Sequence, residues 1–117
     1  AYLSWKQKKM VEAPNRTLAE GLATGTAFSL PQMILRDHLK DFVLVPDREI
    51  LRAMVWMVER AHTLAEAAGA APLAGAYRLR EELKGLKVGL VCSGGNVSLE
   101  QLKQALSIAD CGLWIAN

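Results

Sequence analysis

The run Val88-Gly89-Leu90-Val91-Cys92 breaks into Ser93-Gly94-Gly95-Asn96 and restarts at Val97-Ser98-Leu99-Glu100-Gln101-Leu102, and this stretch constrains the fold more than any other. A short apolar run, a glycine-rich break and a capping pattern read as a buried strand, a tight turn and a helix. In an open α/β sheet, the turn after a strand's carboxyl end is where ligands bind. This turn offers one hydroxyl, on Ser93, beside Gly94 and Gly95, which carry no side chain to block a close approach. Ser98 with Gln101 makes a capping box for a final helix over residues 99–108.

A second transition lies upstream, where Asp41-Phe42-Val43-Leu44-Val45 reads as a strand stopped by Pro46. Asp47 is expected to cap the following helix, with Glu49 in its positive first turn. The body over residues 50–67 carries Ile50, Met54, Met57, Ala61, Leu64 and Ala65 on one face. Leu51, Val55 and Val58 lie on a neighbouring face, so the helix is expected to be covered on more than one side. Gly69-Ala70-Ala71-Pro72 is expected to interrupt it, with a second helix over residues 73–83. A short helix over residues 2–12, and another starting from Ser29 as N-cap with Pro31 in its first turn, complete the set. A strand, a helical crossover and another strand predict a right-handed parallel βαβ unit. The expected fold class is therefore α/β: part of a three-layer α/β unit with a short parallel sheet and about four to five helices.

Composition narrows the function classes. The 117 residues make one domain, long enough to bury a core without disulfides. With 51% hydrophobic and 22% charged residues, the chain has less polar cover than a small monomer usually has, which predicts a homo-oligomer or contacts with a missing N-terminal portion. The start at Ala1 rather than Met is in keeping with a segment upstream. Two cysteines, Cys92 and Cys111, are too few for a secreted disulfide framework and point to a reduced, cytoplasmic setting. No apolar run approaches the ~20 residues a bilayer requires, and the first residues lack a signal-peptide pattern. No membrane partner is expected. A net charge of +2 argues against nucleic acid, and Lys6-Gln7-Lys8-Lys9 reads as a solvated helix face. His38 and His62 are too isolated for a metal pair, Cys92 reads as a buried inert thiol, and Trp5, Trp56 and Trp114 read as packing residues.

Four segments occur in order: Thr17-Leu18-Ala19-Glu20-Gly21-Leu22, Asp41 to Ile50, Leu64-Ala65-Glu66-Ala67-Ala68-Gly69 and Leu90-Val91-Cys92-Ser93-Gly94-Gly95-Asn96. Together they resemble the C-terminal part of threonine and serine dehydratases, pyridoxal-phosphate (PLP) enzymes related to serine racemase. The resemblance runs from about Tyr2 to Ala105, giving a dehydratase-like region over 1–107 and an unmatched tail over 108–117. It implies cofactor-binding roles for four residues. The Ser93 hydroxyl would meet the pyridine nitrogen, Gly94 would shape the adjoining turn, Glu66 would lie near the far side of the ring, and Gly21 would lie against the cofactor. Thr24 would contribute a hydroxyl to the substrate pocket. A neutral hydroxyl at the pyridine nitrogen makes the ring a milder electron sink than a carboxylate would, which suits β-elimination. The family reaction removes the α-proton of a hydroxy amino acid, expels the β-hydroxyl and yields a 2-oxo acid and ammonia.

The resemblance also implies what this sequence lacks. Family members hold PLP on a lysine in a Ser-Phe-Lys type segment and cradle its phosphate with a glycine-rich loop. None of Lys6, Lys8, Lys9, Lys40, Lys84, Lys87 or Lys103 has that context. The expectation is a truncated dehydratase relative with no catalytic residue and no metal site of its own, inactive and without bound PLP when alone. The alternative is a stand-alone, non-catalytic module that works through self-association or a protein partner. Apart from the resemblance, Ser93 reads equally as part of a polar capping loop, and Glu66 as a solvated helix carboxylate.

Overall fold

The computed structural model describes residues 1–110. Five α-helices succeed one another: α1 (Tyr2–Gln7), α2 (Ser29–His38), α3 (Asp47–Ala61), α4 (Ala67–Arg78) and α5 (Leu99–Asp110), with a 3₁₀ turn at Glu20–Leu22 between α1 and α2. Helix α3 is the centre, packed against α4 on one side and α5 on another. Ile50, Leu51, Ala53, Met54 and Val55 are all buried, so its first two turns are covered on more than one side, as the double apolar face predicts. Small residues meet it: Ala67, Ala70, Ala71 and Ala74 from α4, Ala105 from α5, and Ala19 and Ala65 from the connections. Alanine at these positions lets the helix backbones approach closely.

The expected parallel sheet does not form among the described residues. Residues 41–45 and 88–92 take part in no strand ladder, and neither contributes to the backbone bonds outside the helices. A strand is stable only when its N–H and C=O groups find a partner strand, and these two segments do not pair with each other. Their apolar side chains stay partly open, with Leu44 57% and Val91 74% exposed. Cys92, expected to be buried, is exposed for the same reason.

Boundaries of all five helices also depart from expectation, α4 ending at Arg78 rather than at 83. Helix α3 stops at Ala61 because His62 takes the left-handed conformation (φ 50°) and Thr63 N–H turns back to the Met57 carbonyl at 2.9 Å. Helix α4 runs through Gly69 and Pro72 instead of breaking there. Its buried row at 67, 70, 71 and 74 follows helical spacing, so packing on α3 outweighs the bond lost at Pro72. Ser29 is the first residue of α2 rather than its cap, Phe28 holding that position, and α1 ends at Gln7. At α5 the cap is Ser98, whose Oγ accepts the Gln101 N–H at 3.1 Å, and the helix continues to Asp110. The first three residues of the expected tail, 108–110, thus belong to α5, and its remainder from Cys111 on, with Trp114, lies outside the described residues.

Trp5 packs on Phe42 with ring centroids 5.9 Å apart and donates its indole N–H to Leu35 O at 3.3 Å. Trp56 meets Tyr77 edge-on at 4.7 Å across α3 and α4. Both tryptophans therefore pack within the fold.

Candidate functional site

Glu66 occupies the N-cap position of α4, yet its carboxylate makes no bond to its own helix. It reaches sideways to the glycine turn instead. Glu66 N–H donates to the Gly94 carbonyl at 3.0 Å, and Glu66 Oε2 accepts the Asn96 N–H at 3.1 Å. The start of α4, where the helix dipole favours negative charge, is thereby fastened to the turn 94–96 from both the backbone and the side chain.

Glycines stand where these segments approach closely. A Cβ on Gly94 would stand 2.5 Å from Glu66 Oε1, and one on Gly69 would stand 2.6 Å from the Gly94 carbonyl oxygen. A Cβ on Gly95 would lie 3.0 Å from Leu64 O. Gly21, in the 3₁₀ turn, completes the group: its Cβ position is 3.0 Å from Ala68 Cβ and 3.7 Å from Glu66 Oε1. Three of the five residues singled out from sequence, Gly21, Glu66 and Gly94, thus converge from positions 73 apart at the extremes. Ser93 precedes this contact by one residue and is exposed.

Thr24 stands apart from the carboxylate. With Gly21 it lines a cleft of about 440 Å³ whose other walls include Tyr2, Thr17, Phe42 and Asp47. Ser93, Gly94 and Glu66 do not line it, and no lysine does. Gly21 is therefore shared between the cleft and the Glu66 contact. All seven lysines are exposed.

Sequence reasoning misses Gly69 and Asn96, and it misassigns Asp47. Gly69 sits one helical turn after Glu66 and reads locally as a helix breaker; a lone glycine in an alanine-rich helix is the available signal that another backbone comes close. Asn96 acts through its N–H, which no side-chain pattern reveals. Asp47 caps nothing: its carboxylate accepts the Thr17 hydroxyl and the Leu18 N–H. His38 and His62 are exposed, and no group of three or more metal-ligating side chains occurs among the described residues. No helix among them is long and apolar enough to cross a membrane.

Comparison with known proteins bears on this arrangement. The family model for pyridoxal-phosphate dependent enzymes matches residues 1–94. The L-threo-3-hydroxyaspartate ammonia-lyase of Saccharomyces cerevisiae is 33% identical over 92 residues, which is 79% of this chain and 28% of that protein. The L-threonine ammonia-lyase of Geobacter sulfurreducens is 38% identical over 104 residues, 87% of this chain and 26% of that protein. The solved structure of maize serine racemase superposes with a TM-score of 0.76 at 30% identity, over 90% of this chain and 35% of the other. The chain thus spans between a quarter and about a third of the length of these relatives. With most of its length matched, the chain belongs to the pyridoxal-phosphate-dependent enzyme family.

Proposed function

We propose that this chain forms one wall of the cofactor site of a PLP-dependent ammonia-lyase acting on hydroxy amino acids such as serine or threonine, and that it is inactive without the remainder of such a fold. The convergence of Gly21, Glu66 and Gly94 beside Ser93 carries the reading.

The residues fit the ring side of PLP. Ser93 presents an exposed hydroxyl, which can donate a hydrogen bond to a neutral pyridine nitrogen. Gly94 and Gly21 let the chain close on Glu66, which brings that carboxylate beside the Ser93 turn. The Glu66 carboxylate repels a phosphate, so the wall suits the ring rather than the phosphate arm. When bound, the cofactor supplies an electron sink for the charge that develops at the amino acid's Cα. Ser93 orients the ring, Glu66 and the Asn96 N–H hold the turn in place, and Thr24 contributes a hydroxyl at the cleft where the amino acid would lie. The unpaired segments 41–45 and 88–92 would be completed as strands by the remaining part of the fold. A reduced cytoplasmic compartment suits the exposed, free Cys92 thiol.

The test adds PLP to this chain, reduces with borohydride and maps any adduct by mass spectrometry, alongside an assay for 2-oxo acid formed from L-serine or L-threonine. The expected result is no adduct at a single defined lysine and no product. A specific lysine adduct, or turnover by this chain alone, would overturn the reading.

One observation favours a second role, self-association as a non-catalytic module. On α2 three large apolar side chains are exposed, Leu30 at 65%, Met33 at 60% and Ile34 at 54%, while the buried residue is Gln32, whose Nε2 donates to Ala1 O at 3.2 Å. An apolar face turned outward is a surface that another chain covers. Sizing at several concentrations is expected to show oligomers. A monodisperse monomer at every concentration would contradict self-association.

A further inference from the structure

Leu18 is gripped on both sides by side chains from distant helices. Its N–H donates to Asp47 Oδ2 at 3.0 Å, and its carbonyl accepts from Gln101 Nε2 at 3.0 Å. Asp47 is the first residue of α3, and Gln101 is the third of α5. Each has a local use open to it: an aspartate in a first turn bonds its own helix N–H groups, and a capping-box glutamine bonds back to the cap N–H. Neither makes that bond. Both side chains turn instead to the same residue, and the Asp47 carboxylate also accepts the Thr17 hydroxyl, whose oxygen in turn accepts the Ala19 N–H at 3.2 Å.

The segment from Leu18 to Gly21 is short and stiff. Ala19 is fully buried, Leu22 N–H donates to the Ala19 carbonyl at 2.8 Å, and Gly21 lies inside that turn. Only Ala19 and Glu20 separate the grip from the point where Gly21 approaches Ala68 and Glu66, and the approach leaves only 3.0 Å for a Cβ. A shift at Leu18 would therefore carry Gly21 toward or away from Ala68. We infer that Asp47 and Gln101 are positioning residues: by holding Leu18 from two sides they fix Gly21 against Ala68 and Glu66 and so set the shape of the candidate cofactor wall. The geometry stands by itself; its functional consequence rests on the reading of the wall as cofactor-facing.

Paired substitutions in the whole chain separate positioning from bulk stability. Asp47→Asn and Asp47→Leu both remove the charge from the first turn of α3, but only Asn keeps an oxygen for the Leu18 N–H. Gln101→Lys keeps a donor for the Leu18 carbonyl, whereas Gln101→Met keeps the bulk and loses the donor. The readout is the amide spectrum with hydrogen exchange. In Asp47→Leu and Gln101→Met the Gly21, Ala68 and Glu66 signals should shift, and exchange at Leu22 should quicken roughly fivefold, the worth of one hydrogen bond. Signals from α2 should stay in place. Asp47→Asn and Gln101→Lys should retain the parent pattern. The inference fails if the Leu and Met variants leave Gly21 unmoved, if all helices respond alike, or if the conservative partners behave like the disruptive ones. If Asp47→Leu does not fold, the two Gln101 variants decide alone, because that side chain lies only partly buried at the edge of the core. No PLP is needed, so the grip is tested even in a chain that never meets the cofactor, and failure of the grip leaves the proposed function standing.

Discussion

Gly69→Ala is expected to destabilise the chain by about 1–2 kcal/mol, even though alanine is the better helix former. Replacing glycine inside a helix gains about 1 kcal/mol in propensity. The new methyl, however, would stand 2.6 Å from the Gly94 carbonyl oxygen and 3.2 Å from its nitrogen, both backbone atoms. That backbone is tied in place by the Glu66 N–H bond to the same carbonyl. Relief requires α4 to withdraw from the turn, at a cost of roughly 1–3 kcal/mol for overpacking plus the bond that is broken. Gly75 lies in the same helix with nothing within 4 Å of its Cβ position, so Gly75→Ala isolates the propensity term. Thermal unfolding should show Gly69→Ala several degrees below the parent and Gly75→Ala a few degrees above. Equal stability in the two variants would mean that α4 does not press on the glycine turn.

Gly94→Ala is expected to act on the site more than on the fold. Its methyl would stand 2.5 Å from Glu66 Oε1 and 2.6 Å from Cδ, atoms at the end of a flexible side chain. The carboxylate can swing away, and in doing so it releases the Asn96 N–H. Because that bond is solvent-accessible, its loss is expected to cost only about 1 kcal/mol. The diagnostic is non-additivity. Glu66→Ala removes the group that the new methyl strikes, so Gly94→Ala should cost little in a Glu66→Ala background. Additive losses in a double-mutant cycle would show that the two residues do not touch.

The difference between what is legible in the sequence and what is not follows from the range of each interaction. Helices α3 and α5 are readable because their signals are local: the double apolar face from Ile50 to Val58, and Ser98 three residues before Gln101. The strands at 41–45 and 88–92 are legible as apolar runs, but pairing depends on a partner that their own residues do not encode. Pro72 misleads because a local breaker is overridden by an alanine stripe packing on α3. At the site, Gly21, Glu66 and Gly94 are found through the family pattern and are brought together by the fold, whereas Thr24 lies on a cleft that Glu66 does not reach. Asp47 and Gln101 look like routine caps. Their common attachment to Leu18 spans 29 and 83 residues and has no signature in local spacing.

Whether the Ser93 turn faces the cofactor ring is read most directly by transplantation. A hybrid in which this chain replaces the matching third of maize serine racemase supplies the rest of the fold to these residues. The PLP absorption spectrum and affinity are then compared between the hybrid and its Ser93→Ala variant. The predicted result is a hybrid that takes up PLP, with Ser93→Ala shifting the absorption band and weakening binding by roughly fivefold, as loss of one hydrogen bond would. A hybrid that binds PLP with the same spectrum and affinity after Ser93→Ala would contradict the assignment of this turn to the cofactor wall.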